Sequence, residues 1–347
     1  MTDSSIHVPK VSVLMVTYNH LNFIEQAIES VLMQETDFDY ELVIGEDCST
    51  DGTREIVKSY AEKYPNRIRA LLHPHNLGMQ QNFVRVLEAC QGTYIALLEG
   101  DDYWTDSLKL QKQVDFLEAN PDFSICFHKI KILEDNKLKD DYITTVPAEI
   151  TTIEDLAKGN YIHTPSCIFR NRGLEIIGEH FQYSPIGDYY LHMMNAQFGK
   201  LFSMNDTMSV YRVHNDGCWS KKSQVERIIK TLQALQCIFL DLKNRTPEVN
   251  TEIINLHFRY LVDLYTTYPV SQNVNFSMIR LDYLDDYSVN NIYIVKMFDV
   301  FKTTLIANND IMQNMNKLTN QNNSIKFLSK KLFHEIIKRL IRIGQKN

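Results

Sequence analysis

Residues 94–104 read Tyr-Ile-Ala-Leu-Leu-Glu-Gly-Asp-Asp-Tyr-Trp and decide the fold. An uninterrupted apolar run ends abruptly in Glu99, Gly100, Asp101 and Asp102, as expected where a buried strand delivers carboxylates to its own carboxyl end. In open α/β sheets, ligands bind at that edge. Clustered carboxylates repel one another unless a proton or a cation neutralises them, and an all-oxygen ligand set favours Mg²⁺ or Mn²⁺. The stretch therefore predicts a divalent metal that holds a phosphate.

Strands and helices alternate on both sides of this stretch. Further strands are predicted at residues 11–16, 41–45, 68–72 and 123–133. Because helical patterns of crossover length separate them, the strands are expected to run parallel in a doubly wound open α/β sheet. The polar turns at Thr17, Asp47 and Asp101 would then share one edge of the sheet.

The pattern changes towards the C-terminus. A strand is predicted at residues 166–170, a helix begins near Asp188, and residues 200–213 are typical of a hairpin. From about residue 220 the patterns are helical, with almost no glycine. We therefore expect a catalytic domain at residues 9–218 and a mainly helical region at residues 220–347.

The first helix also carries a start signal, because Asn22 is followed by Glu25 three residues later. This spacing predicts an N-cap with its capping-box partner and a helix beginning near Phe23.

Residues 325–343 alternate apolar pairs with Lys and Arg pairs and contain a single acid, Glu335. A helix would place the apolar pairs on one face and the cations on the other, which suits an anionic membrane surface. The alternative is a helix that packs on its own domain and leaves a solvated basic face.

Composition limits the possible partners and location. The net charge of −7 and the lack of a basic block before the last thirty residues argue against nucleic-acid binding. The six cysteines form no CxxC pair, which is typical of reduced thiols in a cytoplasmic protein. The N-terminus lacks an apolar signal core, and no apolar run approaches the roughly 20 residues that cross a bilayer. We expect a cytoplasmic protein, with peripheral attachment to the inner face of the membrane through residues 325–343.

Four motifs, in this order and spacing, resemble those of family-two glycosyltransferases, which are GT-A folds that use nucleotide-activated sugars. They are Val-Ser-Val-Leu-Met-Val-Thr-Tyr-Asn at residues 11–19, Glu-Asp-Cys-Ser-Thr-Asp-Gly-Thr at residues 46–53, Asn-Leu-Gly at residues 76–78 and Glu-Gly-Asp-Asp at residues 99–102. Each motif is short, so the strength of the resemblance lies in their combination. It covers roughly residues 9–215 and implies a GT-A type sheet with a Rossmann-like nucleotide-binding half and a C-terminal helical appendage.

The resemblance implies a set of residues that bind the nucleotide-sugar. They are Thr17, Tyr18, Asn19, Asp47, Asn76, Gly78, Glu99, Gly100, Asp101 and Arg212. Within this set, Thr17 and Tyr18 would line the base pocket, and Asp47 would accept from the ring N–H of uracil or thymine. The alternatives are core packing for Tyr18 and a turn cap for Asp47.

The resemblance also implies a metal site for Mn²⁺ or Mg²⁺. Asp101 stands at the position that coordinates the metal, while Asp102 is either a second ligand or a helix cap. His214 would bind the metal or a diphosphate oxygen, and Arg212 would pair with phosphate in bidentate fashion. Glu99 departs from the family pattern, which has Asp at that position.

Asp188 resembles the base of inverting members, because it stands at the start of a helix in the second half of the domain. A carboxylate there can take the proton of the acceptor hydroxyl as its oxygen attacks. Gly187 is a second departure, since the family commonly has Glu before this Asp. The rival interpretation is that Asp188 only caps its helix.

The sequence thus predicts a metal-dependent inverting glycosyltransferase. It would move a sugar from a UDP- or dTDP-sugar to a glycan or lipid-linked acceptor in surface polysaccharide assembly. One alternative is a catalytically idle nucleotide-sugar-binding scaffold, which the departures at Glu99 and Gly187 motivate. Another is a sugar-nucleotide nucleotidyltransferase, but residues 17–22 lack the Gly-rich loop with Lys and Arg that a triphosphate needs.

Overall fold

The structure, a computed structural model, describes residues 8–215, 217, 219–242 and 246–267. The strands are β1 (Val11–Thr17), β2 (Tyr40–Glu46), β3 (Ile68–Leu72), β4 (Tyr94–Glu99), β5 (Tyr103–Trp104), β6 (Phe123–Glu134), β7 (Lys137–Asp140), β8 (Ile150–Thr151), β9 (Ile168–Arg170) and β10 (Lys200–Val213). The α-helices are α1 (Ile24–Leu32), α2 (Thr53–Lys63), α3 (Met79–Ala89), α4 (Lys109–Ala119), α5 (Ile153–Leu156), α6 (Gly187–Ala196), α7 (Gln224–Asp241) and α8 (Pro247–Thr267).

All ten strands belong to one sheet, with the order β3-β2-β1-β4-β9-β6-β10-β5 and with β7 and β8 paired to β6 and β10. The strands β3, β2, β1 and β4 are parallel neighbours, as helical crossovers require. β9 is antiparallel to both β4 and β6, while β10 runs parallel to β6. The predicted α/β class with an open sheet of GT-A type is confirmed.

The strand register brings the predicted polar turns to one edge of the sheet. Thr17 at the end of β1 pairs with Glu46 at the end of β2, and Val16 pairs with Glu99 at the end of β4. The central strands are almost entirely buried, and Thr17 and Glu46 at their ends are buried too, whereas Glu99 is partly exposed. The predicted shared edge therefore exists, and the candidate site lies along it.

Two local predictions were wrong. Residues 200–213 form the single strand β10 rather than a hairpin, because pairing with β6 continues past irregularities that are absorbed as register shifts. The helix α1 begins at Ile24 with Phe23 as its N-cap and no side-chain cap, so Asn22 does not start it. The backbone N–H groups of Phe23 and Ile24 instead both donate to the carbonyl of His20, 2.9 Å away in each case.

The described chain forms two compact units. Among the described residues, those from Val8 to Ser223 and Gln233–Leu256 form the first, whereas Gln224–Leu232 and those from His257 to Thr267 belong to the second. The predicted division at residues 218–220 stays a prediction. The predicted amphipathic helix at residues 325–343 lies outside the described residues.

Within the first unit, Asp241 at the end of α7 is bonded to the segment that leads into α6. Its carboxylate accepts from the backbone N–H of His180 at 2.7 Å and from the hydroxyl of Tyr190 at 2.6 Å. Its second oxygen lies 2.8 Å from Nδ1 of His180. This network links α7 to α6, the helix that carries Asp188.

The described part of the chain shows neither disulfides nor membrane spans. Its cysteines, Cys48, Cys90, Cys126, Cys167 and Cys237, are free thiols. Among the described helices, none combines the length and apolar content needed to cross a bilayer.

A buried lysine lies in the first turn of α4. Lys109 is fully buried, its Nζ donates to Oε1 of Gln113 at 2.7 Å, and Nζ lies 4.2 Å from the ring centroid of Trp104. Burial lowers the pKa of Lys109 from 10.5 to about 7. The folded protein therefore sheds a proton that the unfolded chain retains at mildly alkaline pH.

Replacing Lys109 with Met should change how stability depends on pH. Between about pH 7 and 10.5 the unfolded wild-type chain binds a proton at Lys109 that the folded chain lacks, so this residue makes stability rise with pH. Lys109→Met removes that contribution, and its free energy of unfolding should fall relative to wild type by about 2 kcal/mol between pH 7 and pH 9. Urea unfolding at both pH values measures this. Lys58→Met, at an exposed position, should follow wild type, and parallel curves for Lys109→Met would contradict the assignment.

Candidate active site

The loops that follow β1 and β2 are bonded to each other. The backbone N–H of Asn19 donates to Oγ of Ser49 at 2.9 Å. The side-chain oxygen of Asn19 accepts from the backbone N–H of Thr50, also at 2.9 Å. The N–H of His20 donates to Oγ1 of Thr53, also at 2.9 Å. Asn19 has φ of 55°, a left-handed conformation that Asn tolerates better than most residues. The two loops therefore form one braced surface at the sheet edge.

Thr17 and Tyr18 differ in exposure. Thr17 is buried, and its Oγ1 lies 3.2 Å from Nδ1 of His20. The Tyr18 side chain is 44% exposed, so core packing does not explain it. Its place beside the braced loops is compatible with the predicted base pocket, which stays a prediction.

Asp47 joins the end of β2 to the loop before α3. One carboxylate oxygen accepts from the N–H of Leu77 at 2.7 Å and the other accepts from the N–H of Gly78 at 3.0 Å. Asn76 donates to the carbonyl of Asp47 at 3.1 Å. Gly78 has φ of 84°, which few residues other than glycine adopt. The structure thus brings Asp47, Asn76 and Gly78 together and gives Asp47 a bracing role between two loops.

The carboxylates after β4 form a compact cluster. Oxygens of Glu99, Asp101 and Asp102 lie within 4.8 Å of one another. Gly100 allows the β1 loop to approach, because a Cβ at this position would lie 2.5 Å from Oγ1 of Thr17. The three acidic side chains of the predicted metal-binding stretch therefore converge on one point.

The three carboxyl groups differ in their affinity for protons. Burial, followed by the charges of Asp101 and Asp188, raises the pKa of Glu99 to about 8. Burial and the neighbouring charges of Asp101 and Glu99 raise the pKa of Asp102 well above its usual value. Burial also acts to raise the pKa of Asp101, but two histidines, His20 and His214, outweigh it and hold the pKa below its usual value. Asp101 is thus the member that stays ionised most readily.

The two histidines contact the same oxygen of Asp101. Nε2 of His214 lies 3.2 Å from Oδ2 of Asp101, and Nε2 of His20 lies 3.6 Å from it. The sequence singled out His214 but missed His20. Two features could have pointed to His20. It directly follows the Thr-Tyr-Asn motif, and β1 and β4 are neighbouring strands.

Arg212 is held by its own neighbours. Its backbone N–H donates to Oδ1 of Asp102 at 2.8 Å, and its guanidinium donates to the carbonyl of Asp101 and to the side chain of Gln26. The guanidinium carbon lies 4.4 Å from the ring centroid of Tyr103. These contacts join the end of β10 to the acidic stretch and leave the side chain only 8% exposed. The predicted bidentate pairing with phosphate would require it to leave these partners.

The cluster fits a divalent cation. Its donors are carboxylate oxygens, which suit Mg²⁺ and Mn²⁺, and His214 adds an imidazole that Mn²⁺ accepts. Oδ2 of Asp102 is buried and has no hydrogen-bond partner among the described residues. A buried carboxylate oxygen without a partner is costly, and a cation would satisfy it.

Asp188 lies in the first turn of α6, whose N-cap is Ile186 with no side-chain cap. Its Oδ2 accepts from Nδ2 of Asn160 at 3.3 Å. Burial raises the pKa of Asp188, and its charge in turn helps to raise the pKa of Glu99. The candidate base and the candidate metal ligands therefore belong to one electrostatic site.

Comparison with known sequences gives the family. The sequence model of glycosyl transferase family 2 matches residues 12–179. A putative teichuronic acid biosynthesis glycosyltransferase, TuaG of Bacillus subtilis, is 31% identical over 216 residues, which make up 62% of this chain and 83% of TuaG. An uncharacterized protein of Mycobacterium tuberculosis is 37% identical over 210 residues, so the match spans only 60% of each chain.

Two solved structures share the fold. Staphylococcus aureus TarS 1–349 in complex with UDP-GlcNAc matches with a TM-score of 0.53 and 18% identity, over 79% of this chain and 77% of TarS. The mannosyltransferase PcManGT from Pyrobaculum calidifontis, in complex with GDP-Man and Mn²⁺, matches with a TM-score of 0.52 and 17% identity, over 74% and 75% of the two chains. At such identities the likeness concerns the fold alone. With the GT-A type sheet, the four motifs along its edge and the match across most of TuaG, the chain belongs to glycosyl transferase family 2.

Proposed function

We propose that this protein is a metal-dependent inverting glycosyltransferase that moves a sugar from a UDP- or dTDP-sugar to a glycan or lipid-linked acceptor in surface polysaccharide assembly. The observation that carries the proposal is the convergence of Glu99, Asp101 and Asp102 at the sheet edge, with Asp188 in the same electrostatic site. The named relatives support it, since TuaG is named for teichuronic acid biosynthesis and TarS is solved with UDP-GlcNAc.

The metal site would be built from Asp101, Asp102 and Glu99, with His214 beside them. When bound, Mn²⁺ or Mg²⁺ would neutralise the negative charge that develops on the departing nucleoside diphosphate. PcManGT, which is solved in complex with GDP-Man and Mn²⁺, supports a divalent cation as the cofactor.

Asp188 would act as the base. Its carboxylate takes the proton of the acceptor hydroxyl while that oxygen bonds to the anomeric carbon and the bond from that carbon to the diphosphate oxygen breaks. Because attack and departure occur on opposite faces, a single displacement inverts the anomeric centre. The raised pKa of Asp188 suits a group that must accept a proton near neutral pH.

The nucleotide would lie on the braced loops, with the exposed ring of Tyr18 at the base and the loop of Asn76 and Gly78 towards the diphosphate and sugar. Peripheral attachment and an anionic membrane partner rest on residues 325–343, the cytoplasmic location rests on the composition, and all three stay predictions.

A donor screen tests the proposal. UDP-, dTDP- and GDP-sugars are incubated with the full chain in Mn²⁺ or in EDTA, and release of nucleoside diphosphate is followed together with UDP binding by calorimetry. We expect turnover only with the metal, and UDP binding at least about tenfold tighter with Mn²⁺, which corresponds to about 1.4 kcal/mol.

The same experiment separates the alternatives. Binding of a nucleotide-sugar without turnover, across donors and acceptors, would favour the idle scaffold. Equal turnover in EDTA would contradict the metal site while leaving a transferase. Turnover of a nucleoside triphosphate with a sugar phosphate would favour a nucleotidyltransferase.

A further inference from the structure

Asn160 is hydrogen-bonded to the candidate base from outside the helix that carries it. Nδ2 of Asn160 lies 3.3 Å from Oδ2 of Asp188, and its Oδ1 accepts from the backbone N–H of Ile162 at 3.2 Å. Only the carbonyl oxygen of the amide can accept from that N–H, so the orientation of the amide is settled and its NH₂ group faces Asp188. Asn160 therefore donates to the carboxyl group whichever protonation state Asp188 adopts.

A buried histidine of α6 holds the amide oxygen of Asn160 from a second direction. Nδ1 of His192 lies 3.3 Å from Oδ1 of Asn160, and the side chain of His192 is fully buried. Burial lowers the pKa of His192 to about 3, so the ring is neutral and carries a single hydrogen. Since the amide oxygen only accepts, that hydrogen is on Nδ1, and Nε2 is left as an acceptor.

The thiol of Cys167 lies at the far end of this chain of hydrogen bonds. Its Sγ is 3.5 Å from Nε2 of His192, whereas the carbonyl of Thr164 is the more distant acceptor at 3.8 Å. Burial raises the pKa of the Cys167 thiol to about 12, so the thiol keeps its hydrogen and can donate to Nε2. Every link then donates in the same direction, from Cys167 through His192 and Asn160 to Asp188.

The backbone segments of Asn160 and Asp188 are also bonded to each other. The hydroxyl of Tyr189, the residue after Asp188, donates to the carbonyl of Leu156 at the end of α5, 2.9 Å away. Tyr161, the residue after Asn160, is buried. Because both segments are fixed in this way, the two side chains meet without either backbone having to move.

We propose that Asn160 is the positioning residue of the candidate base, and that His192 and Cys167 hold Asn160 in the orientation this role needs. The proposal rests on the proposed function, because it assigns the base to Asp188. An aspartate side chain rotates about two torsions, whereas proton transfer needs its carboxylate within hydrogen-bond reach of the acceptor hydroxyl. A donor that is itself fixed restricts this rotation before the acceptor arrives.

Steady-state kinetics of glycosyl transfer by the full chain in Mn²⁺ test the proposal with Asn160→Ser. The serine hydroxyl can still accept from the N–H of Ile162, but it is too short to reach Asp188. We expect kcat to fall about tenfold, as when one hydrogen bond stops acting on a transition state. The KM of the donor should stay within about twofold, because ground-state binding is untouched. If Asn160 only closed its local turn, Asn160→Ser would keep the wild-type kcat, and the proposal would be overturned.

Asn171→Ser is the matched control. Oδ1 of Asn171 also accepts from the backbone N–H two residues further on, that of Gly173, at 2.8 Å. Its Nδ2 donates to the carbonyl of Gly92, again at 2.8 Å. The same change is thus made in the same kind of turn, but the lost donor served a backbone carbonyl rather than the candidate base. Asn171→Ser should keep the wild-type kcat, and a loss equal to that of Asn160→Ser would overturn the proposal.

Two variants of His192 test the second link. His192→Asn keeps a donor close to the position of Nδ1 and should retain kcat within about twofold of wild type, whereas His192→Leu removes the donor and should lower kcat about threefold. Equal losses in the two variants would show that His192 only packs in α6 and would overturn its assignment.

Asn160→Ser in the Asp188→Asn background shows whether Asn160 acts through the base. If it does, Asn160→Ser costs no more than about twofold once the carboxylate is absent, because the effects of coupled residues are not additive. An undiminished loss of about tenfold in that background would overturn the positioning role. Thermal unfolding shows that each variant is folded, and Asn160→Leu, which also lacks the donor, repeats the test at the same position.

The single variants separate failure of this proposal from failure of the proposed function. If Asp188→Asn alone transfers sugar at the wild-type rate, the base lies elsewhere, and the assignment of Asp188 falls together with that of Asn160. If Asp188→Asn abolishes transfer while Asn160→Ser keeps the wild-type kcat, only the positioning role of Asn160 falls.

Discussion

Asp188→Asn is expected to lower glycosyl transfer by about 10²–10⁴-fold, the range that a positioned general base contributes. The amide has the shape of the carboxylate and can still contact Asn160, but it cannot take the proton of the acceptor hydroxyl. The affinity for UDP should stay within about twofold, because the proposed nucleotide-binding residues do not include Asp188. Initial rates of transfer and calorimetric titration with UDP and Mn²⁺ measure the two effects.

Glu55→Gln is the matched control, since Glu55 is also a first-turn carboxylate, in α2, but is exposed. It should leave transfer unchanged. Transfer by Asp188→Asn at the wild-type rate would show that the carboxylate only supports the start of α6.

Asp101→Asn is expected to lower release of nucleoside diphosphate by about 10³-fold and to abolish its stimulation by Mn²⁺. Asp101 is the member of the cluster that stays ionised most readily, and an amide is a weaker ligand for a hard cation. Loss of the Asp101 carboxylate removes a metal ligand, and the charge stabilisation that a metal gives a transition state is worth several kcal/mol. Turnover is measured across a Mn²⁺ titration, and the stabilisation that Mn²⁺ gives against thermal unfolding is measured in parallel.

Asp115→Asn is the control for Asp101→Asn, because Asp115 is an exposed carboxylate of α4 that accepts from Gln111 at 2.9 Å. It should retain both turnover and its response to Mn²⁺. A wild-type response to Mn²⁺ in Asp101→Asn would mean that Asp101 does not bind the metal.

The edge of the sheet could be predicted because the end of each strand is marked in the sequence. The apolar runs before Thr17, Glu46 and Glu99 stop abruptly at polar residues, and parallel strands must present such ends together. The acidic cluster follows from this without knowledge of any side-chain position. The candidate base was reached differently, through resemblance, since a carboxylate at a helix start is equally typical of a cap.

Other features depend on contacts that the local sequence does not encode. His20 reaches Asp101 only because β1 and β4 are neighbours, and Asp141 meets His163 across 22 residues of loops and short elements. The strand β10 looked like a hairpin because its interior is polar and irregular, yet pairing with β6 holds it extended. Tertiary pairing overrode the local pattern in that segment.

The mutual bracing of the loops after β1, β2 and β3 has a thermodynamic consequence for donor recognition. Asn19 fastens to Ser49 and Thr50, and Asp47 fastens to Leu77 and Gly78. The chain therefore loses the backbone entropy of these loops when it folds, and nucleotide binding does not incur that entropic cost a second time. Differences in affinity between donors then reflect the contacts each nucleotide makes, so that a change of donor preference can arise from a few side chains without rebuilding the surface that presents them.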